Sequence, residues 1–72
     1  MIVVQKLKNS EHGIDVHFQD NSGSYVIRDV HPGAVKLAIG ENEMESLLEA
    51  QGTKPLNVSK DKITSFIQHQ VC

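Results

Sequence analysis

The six residues Ile14-Asp15-Val16-His17-Phe18-Gln19 constrain this chain more than any other stretch, because they alternate apolar and polar side chains without a break. Only an extended strand with one face buried and one face wet makes use of such a period-2 pattern. Asp20-Asn21-Ser22-Gly23 follows as a run of turn formers ending in glycine, and Ser24–Val30 reads as the returning strand. A loop over 20–23 sets Phe18 opposite Tyr25, Val16 opposite Ile27 and Asp15 opposite Arg28, all pairings that favour a sheet. Met1–Lys8 supplies a strand before this hairpin. The run Ala34–Ile39 alternates as well and reads as a fourth strand, although the preceding His31-Pro32-Gly33 leaves its register in conflict with the third. A helix over 34–39 is the lesser alternative.

The second half changes period. Asn42 with Glu45 has the spacing of a capping box, Met44, Leu47 and Leu48 form a helical stripe, and Gly52 fits a C-terminal cap, giving a helix of about 9 residues. Thr53–Val58 is extended around Pro55. Ser59 is a natural N-cap for a last helix with Ile63, Phe66, Ile67 and Val71 on one face. The chain is therefore expected to be one α+β domain over residues 1–72. Its antiparallel β-meander of three to four strands is followed by two amphipathic helices packed on one sheet face.

With 72 residues there is room for one core and for no deep substrate cleft. Cys72 is the sole cysteine, so no internal disulfide can form, and a reducing compartment is expected. Met1–Val4 is too short for the apolar region of a signal peptide, and no segment approaches a membrane span. The chain is thus expected to be soluble and cytoplasmic, without a membrane.

Chemistry-bearing residues are scattered. The histidines at 12, 17, 31 and 69 have no metal-like spacing, and no nucleophile carries a local signature of activation. The glycines fall at element boundaries rather than in a phosphate-binding pattern. No enzyme activity, cofactor or metal is expected, and no resemblance to a known family is visible. Net charge is −2, the wrong sign for a domain devoted to gripping phosphates. Glu41, Glu45 and Glu49 form an acidic ridge that reads as a solvated helix face.

One feature of the pattern points outward. The first and third strands carry apolar residues in both phases, with Ile2 and Val4 opposing Val3 and Leu7, and Val26 and Val30 opposing Tyr25 and Ile27. A single layer of helices cannot cover both. Homodimerisation is therefore expected, across the open sheet face or along the edge of strand 1, with Ile2, Val4, Val26, Val30 and His17 as interface residues. The functional reading is a non-catalytic interaction or regulatory protein that works as a homodimer or docks on a partner protein. The alternative is a small nucleic-acid-binding regulator that uses Lys54, Lys60 and Lys62 around the helix after Ser59.

Overall fold

The computed structural model describes residues 2–49 and 56–70, with the Glu49 side chain left aside. The elements run β1 (Ile2–Asn9), β2 (Ile14–Asp20), β3 (Gly23–Val30), α1 (Pro32–Ile39), α2 (Glu41–Glu49), β4 (Leu56–Val58) and α3 (Lys60–Gln68). The four strands form one antiparallel sheet in the order β3-β2-β1-β4. Helices pack on it, as the α+β reading expects.

The hairpin has the expected register, with Phe18 opposite Tyr25 and Val16 opposite Ile27. Strand pairing reaches Asp20 and Gly23, so the turn proper is only Asn21-Ser22. Asp20 shapes it: its Oδ1 accepts from the Ser22 amide at 2.7 Å, the Ser22 hydroxyl at 2.8 Å and the Gly23 amide at 3.2 Å. Those bonds favour the charged form and hold the carboxyl below its ordinary range, the Ser22 amide foremost.

Two bulges break the simple alternation. In β1 the pairing skips a residue between Val4 and Lys6, leaving Gln5 as the extra one, and in β3 it slips between Ile27 and Val30. Each bulge changes the phase of its strand. Val4 and Leu7 therefore face the same core although they are three apart, as do Ile27 and Val30, and Val4, Leu7 and Val30 are fully buried. The second bulge centres on Asp29, whose φ of 56° lies in the left-handed region. Its amide donates to Asp15 Oδ1 at 3.1 Å. That carboxylate is thus turned to the Asp29 amide rather than to Arg28, and the expected Asp15–Arg28 pairing is replaced.

The loop between β1 and β2 is tied to the same bulge. Ser10 Oγ donates to Asp29 Oδ1 at 2.8 Å, and the Gly13 amide donates to Ser10 Oγ at 3.1 Å. Gly13 lies so close to β3 that a Cβ there would sit 2.6 Å from the Val30 carbonyl oxygen.

Residues 34–39 are helical, which corrects the fourth strand expected there. Pro32 occupies the first turn, where its missing N–H costs nothing, and His31 Nδ1 accepts from the Gly33 amide at 3.0 Å as the N-cap. Ala34 and Val35 are buried, and Ala38 and Ile39 pack against the core one turn later. That spacing satisfies a helix as well as the alternation of Val35, Leu37 and Ile39 satisfies a strand. The fourth strand of the sheet is instead β4, which pairs with β1 through Ile2–Val58, Val3–Asn57 and Val4–Leu56.

The capping box is also displaced: α2 starts at Glu41, and the Met44 amide donates to the Gly40 carbonyl, so Asn42 lies inside the first turn. Ser59 is the N-cap residue of α3, but its side chain makes no capping bond. Ile63 and Phe66 are buried as expected, while Ile67 is 54% exposed. Gly52 and Val71 lie outside the described residues. A single exposed ion pair, Lys36–Glu41 at 3.5 Å, joins α1 to α2 among the described residues. Pairs of this kind contribute only about 0–1 kcal/mol.

Candidate functional site

The core residues of β1, β2 and β3 point to the helices, so the other phase of each strand forms a second face on which no described helix packs. The strand register lays this face out as rows. Asn57, Val3, Gln19 and Ser24 lie across from one another, then Lys6, His17 and Val26, then Lys8 and Asp15. Arg28 and Asp29 occupy the bulge at the end of that last row. Gln5 Nε2 donates to Gln19 Oε1 at 2.8 Å, so the extra residue of the β1 bulge also lies on this face.

The charge here is opposite to that of the whole chain. Lys6, Lys8 and Arg28 stand against Asp15 and Asp29, a balance of three minus two, or +1. With −2 overall, the remainder carries −3. Much of that is on α2, whose first turn includes Glu41 and Glu43. The bare face is thus a cationic surface on an acidic protein.

His17 sits in the middle row. Its Nε2 is shut away from solvent and has no hydrogen-bond partner among the described residues. Burial lowers its pKa below the ordinary 6.5, the Lys6 ammonium adds to this, Lys8 and Arg28 add less, and Asp15 opposes them. The folded state therefore takes up this proton less readily than the unfolded chain. The stability that depends on neutral His17 is complete above about pH 6.5 and is lost as pH falls through the window beneath it. In urea titrations at about pH 5 and about pH 7.5, a His17→Gln variant should show a smaller loss at the acid end than the parent chain. An equal loss in both proteins would remove His17 from the acid response.

The expected interface residues separate. Val4 and Val30 are wholly buried and Ile2 packs against the core, so these three face inward; this corrects their placement at an interface. His17 and Val26 stay on the bare face, where Val26 is 41% exposed. Over Ile2–Val4 the edge of β1 is taken by β4. The phase changes of the two bulges could not be read from alternation alone, and they absorb most of the apolar surplus that suggested a dimer.

Of the lysines of the nucleic-acid alternative, Lys60 and Lys62 line different clefts. Lys60 lines a cleft of about 490 Å³ with Phe18, Tyr25, Ile63, Thr64 and Ile67. Lys62 lines another of about 970 Å³ with His31, Leu37, Ser65 and His69, between α1 and α3. Lys54 lies outside the described residues. Comparison of the chain with protein-family models, with curated proteins and with solved structures finds no match in any of the three.

His31 and His69 serve local structure. His31 caps α1, its amide donates to the His69 carbonyl at 3.0 Å, and His69 in turn closes α3. Among the described residues, no group of three potential metal ligands converges. Sequence reasoning missed the concentration of cations on the bare face, although Lys6 and Lys8 alternate visibly along the first strand.

Proposed function

We propose that the chain is a non-catalytic interaction protein that docks an acidic segment of a partner protein on its bare sheet face. It works in the cytoplasm as a pair of identical subunits. The observation that supports the docking is the cationic face itself, with Lys6, Lys8 and Arg28 around His17 and Val26 and an acidic charge balance elsewhere. Charge complementarity of this kind steers encounter and fixes orientation.

Gln5, Gln19, Ser24 and Asn57 add neutral donors and acceptors suited to carboxylates and to an extended backbone. Among the described residues the face carries no Phe, Tyr or Trp ring on which successive bases could stack, and His17 is its single imidazole. Three cations also fall well short of the ~6–10 phosphate contacts of typical duplex binders. An acidic peptide segment is therefore the better fit.

An NMR titration with a synthetic polyglutamate peptide tests this, with oligothymidylate in parallel. Polyglutamate should shift Lys6, Lys8, His17, Val26 and Arg28 selectively. The double variant Lys6→Glu with Lys8→Glu should weaken binding by about tenfold or more. Shifts confined to other surfaces would sink the proposal. Tighter, steeply salt-dependent binding of oligothymidylate would hand the face to nucleic acid instead.

A further inference from the structure

Of the large apolar side chains exposed among the described residues, Leu37 stands alone on α1, while Tyr25, Val26 and Ile67 gather along β3. Tyr25 is 45% exposed, stacks on Phe18 at 5.6 Å between ring centres, and shares a cleft with Ile67. Val26 projects from the same strand to the bare face. β3 is also an outer strand of the sheet. Beyond the bulge its edge is occupied: Val30 bridges to Gln70, the His31 amide bonds the His69 carbonyl, and Gln70 Nε2 donates to the Arg28 carbonyl at 2.8 Å.

That last bond fixes the direction of the strand's polar groups. The Arg28 carbonyl points away from β2, and in an antiparallel strand the N–H and C=O of alternate residues point to the same side. The backbone groups of Val26 and Ser24 therefore point outward too, and no described residue bonds them. Exposed edges are normally blunted by charge, proline or a covering element. Gly23–Ile27 has no charged side chain and no proline.

We infer that two copies of the chain pair antiparallel through Gly23–Ile27 of β3, about a twofold axis at Tyr25, and join their sheets into one of eight strands. In that register Ser24 of each copy exchanges both backbone hydrogen bonds with Val26 of the other, and Arg28 lies opposite the second copy's Ser22. No like charges meet. On the helix side Tyr25 and Ile67 of both copies come together; on the other side the two cationic faces become continuous. This assigns an interface to the pairing proposed above and rests on that part of it. Pairing face to face instead would set Lys6, Lys8 and Arg28 against their own copies.

Light scattering with size exclusion at about 50 micromolar should give twice the 8.0 kDa of the chain. Val26→Pro should give the single-chain mass with an unchanged circular dichroism spectrum, because it removes an outward N–H and no bond to β2. Hydrogen exchange in the unaltered protein decides the matter even where that variant fails to fold. The Ser24 and Val26 amides should exchange at least about tenfold more slowly at the higher concentration than in dilute solution. A mass of one chain throughout overturns the inference, as does a dimer in which these two amides remain fast. Unaltered protein that keeps the mass of one chain and still binds polyglutamate would sink the pairing and leave the acidic docking intact.

Discussion

Replacing Phe66 by alanine should leave the chain largely unfolded at 25 °C. Phe66 is the largest wholly buried side chain and anchors α3, which reaches both α1 and β3. Truncating a buried phenylalanine costs about 3–5 kcal/mol, counting the lost transfer energy and the cavity left behind. A core of this size seldom supplies more than ~3–5 kcal/mol of net stability, so the loss matches the margin. Leu37→Ala is the control. Leu37 is 89% exposed, and its truncation should move stability by no more than about 0.5 kcal/mol. Circular dichroism melts of the two variants should therefore differ in kind: a cooperative transition for Leu37→Ala and almost none for Phe66→Ala. A cooperative Phe66→Ala melt within a few degrees of the parent would mean that α3 does not anchor the core.

Gly13→Ala should be the most harmful substitution by a single methyl group. The added Cβ would lie 2.6 Å from the Val30 oxygen and 3.0 Å from the Asp29 carbonyl carbon. Both are backbone atoms at the bulge, so no side-chain rotation relieves the clash. Overpacking of this kind costs about 1–3 kcal/mol. Alanine also restricts the unfolded chain, which favours folding by only about 0.4–1 kcal/mol, and the clash prevails. Urea midpoints should fall accordingly, with the largest amide shifts at Ser10 and Asp29. A midpoint equal to the parent's would show that the 10–13 loop moves away freely.

The hairpin was legible because pattern and turn chemistry agreed: Ile14–Gln19 alternates, Asp20–Gly23 turns, and both pairs on the covered face fall where that loop puts them. The buried faces of the last two helices were legible for the same reason, except at Ile67. Residues 34–39 were misread because six residues are too few to separate a period of 2 from one of 3.6. Pro32 is the first residue of α1. Leu56–Val58 was legible as extended, but nothing local in it names β1 as its partner.

The interface residues suffered most. Without the bulges at Gln5 and Asp29, strict alternation turns Val4 and Val30 outward, whereas the phase changes bring them into the core. The alternation of Ile14–Gln19 puts Asp15, His17 and Gln19 together on the wet side, where the structure has them. Of the polar residues of the candidate site, those of β2 could be read in the sequence, while the cations Lys6 and Lys8 were missed. Of the expected apolar residues, Val26 alone lies on the bare face.

The position of β4 has a consequence for the order of assembly. β1, β2 and β3 join through short loops, so the meander can zip from neighbours close in sequence. Bonding Ile2 to Val58 must wait until both early helices and the connection after them have been made. Closing a long loop is entropically slower than closing a hairpin. During synthesis on a ribosome the outer edge of β1 thus stays open until Leu56–Val58 has been translated, and Lys6 and Lys8 are the charges that guard it meanwhile.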